Sequence, residues 1–194
     1  MAAVDNSTII REFVPETWDG DTYVYTELLD RRKTKGNNGF RLVKSFFHRS
    51  REEFDSQLNA IRQLCDWYGS RAYTRISPRS FKATAGLHLK MVTEAYIACN
   101  YDGMKTLYNK ACGNVSPKIK YWMIDVDDMT VDVPCVLSKW QGHGASPSIV
   151  KILPSKTGIH YIVKPFDLSK LVLPVGAELK KDANTNLYIP DGAE

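Results

Sequence analysis

Residues 118–127 read Lys-Ile-Lys-Tyr-Trp-Met-Ile-Asp-Val-Asp, and no other stretch of the chain constrains the fold as tightly. The apolar middle predicts a strand buried at the centre of a sheet, and that strand ends in acid. Side chains two apart on a strand share a face about 6.5–7 Å from one another, so Asp125 and Asp127 project side by side while Val126 turns into the core. Neighbouring carboxylates repel. A hard divalent cation such as Mg²⁺ or Mn²⁺ relieves that repulsion with the oxygen ligands it prefers. Asp-x-Asp-Asp at a strand end is also ordinary turn chemistry, in which carboxylates cap backbone N–H groups.

Around this strand the chain alternates strand and helix signals. Residues 22–29 and 40–47 are rich in β-branched and aromatic residues and flank Lys35-Gly-Asn-Asn-Gly39, which predicts a hairpin. Ser50 followed by Glu53 is a capping box. Phe54, Leu58, Ile61, Leu64, Cys65 and Tyr68 then recur at helical spacing, predicting an amphipathic helix over 51–68 that ends near Gly69. Residues 71–77 alternate as a strand, with Arg71, Tyr73, Arg75 and Ser77 on one face and Ala72, Thr74 and Ile76 on the other. From Ser80 to about Ala111 the pattern is helical, broken around Asn100–Gly103 and stopped at Gly113. A short helix over 133–140 and a loop through 141–146 lead to a second hairpin, residues 148–153 and 158–166, joined by Pro154-Ser-Lys-Thr-Gly158.

That second turn offers chemistry. Ser155, Lys156, Thr157 and the Gly158 backbone are donors suited to phosphate, and His160 two residues into the next strand adds another. The same residues make a good hairpin turn, and a lone strand histidine is usually structural. The order acidic strand, helix, strand, turn, histidine strand is a βαββ unit that would set the histidine strand beside the acidic one, turning His160 and Asp125 toward a common site.

Charge distribution points the same way. The net charge is only +4, yet residues 30–51 hold eight bases against one acid, and residues 71–90 hold five bases and no acid. Residues 121–136 reverse the sign, with Asp125, Asp127, Asp128 and Asp132 and no base. A basic half beside a compact acidic cluster suits a polyanion bound near a divalent cation, although two solvated faces would look alike on charge alone. Arg71, Arg75 and Arg79, with Tyr73 between them, could present cations and a stacking ring to single-stranded DNA or RNA. His48 and His88 read as surface or boundary residues, His143 lies between glycines in a loop, and Tyr121 and Trp122 read as core. Cys65, Cys99, Cys112 and Cys135 are too scattered for a zinc or redox pair and read as reduced and buried. Charged or strongly polar residues interrupt every apolar stretch, so no membrane span is expected. Met1–Asp5 lacks the basic and apolar regions of a secretory signal, and the cytoplasm is the expected location.

Hydrophobic-Asp-x-Asp, then Ser-x-x-Gly-x-His, then a hydrophobic-acid step resembles the three catalytic motifs of the archaeo-eukaryotic primase (primase-polymerase) superfamily. Here they are Ile124-Asp-Val-Asp127, Ser155-Lys-Thr-Gly-Ile-His160 and Ala177-Glu178. The likeness covers roughly residues 115–190 and is one of motif order; the compact chain and its Arg-Ala-Tyr-Thr-Arg strand look like small primase-like proteins of bacteriophages. The resemblance implies that Asp125, Asp127 and Glu178 hold Mg²⁺ or Mn²⁺ and that His160 contacts the triphosphate of an incoming nucleotide. The third motif usually shows Asp, so Asp182 is the rival to Glu178. The fold expected is α+β in one compact domain: an RRM-like βαββ catalytic half over 115–194, packed on a basic αβ half over 1–114. The function expected is metal-dependent nucleotidyl transfer of primase-polymerase type. Its alternative is a non-catalytic nucleic-acid or nucleotide binding protein with the same fold.

Overall fold

A computed structural model describes residues 2–30, 40–127, 132–139, 148–168, 173–182 and 184–192. Two antiparallel sheets and five α-helices make up the described residues, an α+β fold.

Strand β1 (Val4–Asp5) and helix α1 (Ser7–Arg11) precede the first long hairpin, β2 (Thr22–Asp30) and β3 (Arg41–His48). Helix α2 (Arg51–Tyr68) follows, starting where Ser50 Oγ accepts the Glu53 N–H at 3.2 Å and stopping at Gly69, whose φ of 58° is costly for a residue with a Cβ. Phe54, Ile61 and Cys65 are its fully buried residues, at one face of the sheet beside Ala72 and Ile76, and each large apolar side chain so buried contributes about 1.5–3 kcal/mol. Next come β4 (Arg71–Ser80), α3 (Phe81–Ile97), a single 3₁₀ turn (Met104–Thr106) and α4 (Leu107–Asn114). The break expected near residue 100 falls in that connection.

The remaining elements are β5 (Trp122–Val126), α5 (Val133–Lys139), β6 (Ile149–Pro154), β7 (Ile159–Val163), β8 (Ala177–Lys180) and β9 (Asn184–Ile189). The larger sheet runs β1-β9-β4-β2-β3 and the smaller β6-β7-β5-β8. Strand β5 is central, and the histidine strand β7 lies next to it. Trp122, Ile124 and Val126 pack with Val133 and Leu137 of α5, whereas Met123 turns the other way to join Leu153, Ile162 and Leu187 in the main core. Asp125 and Asp127 share the Met123 face, so the acids point where the two sheets meet.

Residues 115–194 contribute to both sheets, because β9 pairs with β4 and β1 in the larger one. Two expectations change. His48 is not a surface residue: it is fully buried, bonded through Nε2 to the Thr26 hydroxyl at 2.7 Å, and burial pushes its pKa down to about 4. Of the cysteines, only Cys65 and Cys112 are buried, and Cys99 is exposed. The Lys35–Gly39 turn, Asp128 and the loop bearing His143 lie outside the described residues. No described helix is long and apolar enough to cross a membrane.

Candidate functional site

Strand register assembles the site. Asp125 on β5 stands directly opposite His160 on β7 and Glu178 on β8, so the three side chains form one row across three strands on one face. Asp127 lies two residues further along that face. The shared-site expectation for Asp125 and His160 is thus met at contact distance: His160 Nε2 lies 3.2 Å from Asp125 Oδ1. Asp125, Asp127 and Glu178 line one small recess.

Lys180 completes the arrangement. It lies two residues after Glu178 and opposite Met123, so it shares the acidic face, and its Nζ donates to Asp125 Oδ2 at 2.5 Å. The ammonium also sits 3.6 Å from Glu178 Oε2. The hydrogen bond from His160, with those from Lys180, outweighs burial and holds the Asp125 carboxyl down at about 2. Burial alone would lower Lys180, but the bond to Asp125 prevails and its pKa is raised. Strand alternation from Glu178 was the signal that could have identified Lys180 in the sequence.

His160 is engaged on both sides. Its Nδ1 lies 2.7 Å from Thr185 Oγ1, a fully buried hydroxyl on β9. With Asp125 ionised, Nε2 carries the proton donated to it, and in the neutral ring Thr185 donates to Nδ1.

The 155–158 turn closes on itself. Gly158 N–H donates to Ser155 Oγ at 3.0 Å and Ser155 N–H to Gly158 O at 2.9 Å, so the Gly158 amide is not a spare phosphate donor. Glycine is required there for another reason. A Cβ at Gly158 would lie 1.8 Å from the carbonyl oxygen of Val126 and 3.0 Å from Asp127 Cα, so the turn is pressed against the backbone that carries the acids. Thr157 Oγ1 donates to Asp127 Oδ1 at 3.3 Å across that contact.

A cleft of about 450 Å³ separates these residues from the larger sheet. On one side are Asp125, Asp127, Ser155, Lys156, Thr157 and His160; facing them are Arg71 and Tyr73 of β4, Leu29 and Phe40. A volume of this order accommodates a small molecule the size of a nucleotide.

Not every expected residue lies here. Asp182, in the turn between β8 and β9, receives Arg75 Nη1 at 2.5 Å and Arg79 Nη2 at 3.0 Å. Arg75 also approaches Glu27 at 3.5 Å, and Arg79 is 2% exposed. Asp182 is therefore not set with Asp125 and Asp127, and Arg75 and Arg79, unlike Arg71, are paired with carboxylates among the described residues. Neutralising the buried Arg79 and the half-buried Arg75 accounts for all three positions.

The donor set Asp125, Asp127 and Glu178 is all oxygen, the chemistry Mg²⁺ and Mn²⁺ require. Among the described residues no three acids, histidines or cysteines converge at metal-holding distance. The oxygen donors match such a cation in kind, and as placed Lys180 and His160 occupy the two Asp125 oxygens. No protein-family model, curated protein or solved structure matches the chain.

Proposed function

We propose that the protein is a metal-dependent nucleotidyltransferase of primase-polymerase type, with an RRM-like arrangement of its acidic strands, acting on nucleoside triphosphates and single-stranded DNA or RNA. One observation carries this: Asp125 stands directly opposite both His160 and Glu178 on the adjacent strands, and Asp125, Asp127 and His160 face a nucleotide-sized cleft with Arg71 on its far wall. Asp125, Asp127 and Glu178 are the residues that would hold Mg²⁺ or Mn²⁺. Such an ion supplies Lewis acidity that activates an attacking hydroxyl and stabilises the leaving pyrophosphate.

The chain's own groups do the rest. Ser155, Lys156 and Thr157 at the cleft edge bring hydroxyls and an ammonium to the triphosphate. His160 keeps Asp125 ionised and aimed across the sheet, and a phosphate oxygen entering the cleft competes for the same Nε2 proton. Lys180 balances the Asp125 charge in the free protein. The sheets exclude water behind the row, which strengthens each of these interactions.

The test is incubation of the protein with labelled nucleotides, single-stranded template and Mg²⁺ or Mn²⁺. Template-dependent incorporation that Asp125→Ala abolishes is the expected result; full incorporation by that variant overturns the assignment.

A second reading, a nucleic-acid or nucleotide binding protein without catalysis, draws on the Lys180–Asp125 pair, which already neutralises the acid a metal would need. It calls for salt-sensitive binding that chelator leaves intact, with no incorporation under any metal.

A further inference from the structure

Three arginines lie on β4, and their surroundings differ in kind. Arg75 and Arg79 lean on Asp182, and Arg75 on Glu27 as well. Arg71 is 8% exposed, it lines the cleft, and no carboxylate or other hydrogen-bond acceptor pairs with it among the described residues. The Nε atoms of all three are buried without a hydrogen-bond partner, so the contrast lies in the outer guanidinium nitrogens, which carry carboxylates in two cases and none in the third.

A guanidinium cannot shed its charge in a protein, so burial without an anion costs the free protein stability. Natural sequences keep such a cost where a ligand repays it in the bound state. The planar fork of an arginine matches two phosphate oxygens at once, and Tyr73, two residues along the same strand, lines the same wall beside Phe40. Across the cleft the acids leave no room for a second anion near them without a metal, whereas the Arg71 wall needs one in the metal-free protein too.

We propose that Arg71 is the receptor of a metal-independent phosphate subsite on the wall of the cleft opposite Asp125. The phosphate can come from the backbone of a single strand or from a nucleotide; that choice of sources rests on the cleft being the nucleotide site proposed above, while the need for an anion does not.

The experiment is done in EDTA on the full chain, so that binding is read without catalysis. Fluorescence anisotropy with a labelled twelve-residue oligothymidylate and with a labelled ATP analogue is compared between wild type, Arg71→Met and Arg71→Lys, and thermal melting is followed with and without inorganic pyrophosphate. Arg71→Met is expected to lose about ten- to a hundredfold in affinity for at least one probe, the range for a charged hydrogen-bond pair. Loss for the oligonucleotide assigns a strand phosphate and loss for the nucleotide a triphosphate. Arg71→Lys, which keeps the charge without the fork, should lose affinity less severely and secures the result if the methionine variant does not fold. Free Arg71→Met should melt no lower than wild type and should no longer gain stability from pyrophosphate, whereas Arg79→Met melts lower. Unchanged binding of both probes by the Arg71 variants overturns the proposal, as does a fall in the free melting temperature matching that of Arg79→Met. EDTA-resistant binding without any incorporation would overturn the polymerase assignment and leave this subsite standing.

Discussion

The larger sheet and the cleft beside it both bury polar side chains, but they dispose of them differently. Inside the sheet, His48 bonds Thr26 at 2.7 Å, Thr26 bonds Thr74 at 2.7 Å, and Asp182 gathers Arg75 and Arg79. These groups pair with one another inside the protein. In the cleft, Asp125 is satisfied by His160 and Lys180, and Asp125, Asp127, Lys156 and Arg71 line an opening of nucleotide size. Residue type does not separate the two regions, since each contains histidine, aspartate and arginine. What separates them is whether the polar groups enclose a volume that a ligand could fill.

Substitutions can break that contrast from either side. The largest effect belongs to Gly158→Ala, where the new methyl meets the Val126 carbonyl at 1.8 Å and only a backbone shift relieves the overlap. A loss of more than about 3 kcal/mol in a denaturant melt is expected, with Asp127 displaced along with the strand end. Mild destabilisation and an intact cleft would mean the turn is not pressed on the acids.

His48 gives a comparable effect through pH. Its pKa, about 4 in the folded protein, lies below the ordinary 6.5, so the unfolded chain takes up the proton first as pH falls. Stability should therefore decline from about pH 6.5 to about pH 4, by about 3 kcal/mol in all, and His48→Gln should flatten that part of the profile. A profile as steep in the variant would place the titrating group elsewhere.

Asp182→Ala has a smaller cost, about 2 kcal/mol, because it strands Arg79 in the interior while Asp182 itself is 37% exposed. It sharpens the contrast most, since it removes an aspartate the sequence offered as a metal ligand and should leave nucleotide chemistry per folded molecule unchanged.

How much of this was legible in advance follows from the range of each interaction. Helix α2 was legible to the residue, because Ser50 and Gly69 are local signals that need no tertiary partner. The meeting of Asp125 with His160 was legible from the order of the motifs, since a hairpin returning beside β5 fixes the register. The fate of the three β4 arginines was not. Alternation puts Arg71 and Arg75 on one face, but only the crossing of β9 into the larger sheet brings Asp182, more than a hundred residues away in sequence, to Arg75 and Arg79 and not to Arg71. His48 failed for a similar reason: strand position gave no hint that α2 would cover it. Lys180 was within reach, as the second residue after Glu178 on the same face.

The most direct measurement compares Asp125→Ala with Asp182→Ala in the template-dependent incorporation assay, normalised to folded protein. The acid of the cleft and the acid of the β8–β9 turn should part company: no incorporation from the first variant and wild-type incorporation from the second. Equal activity in the two variants, or none from wild type with either metal, would contradict the assignment of the Asp125 row as the reaction centre.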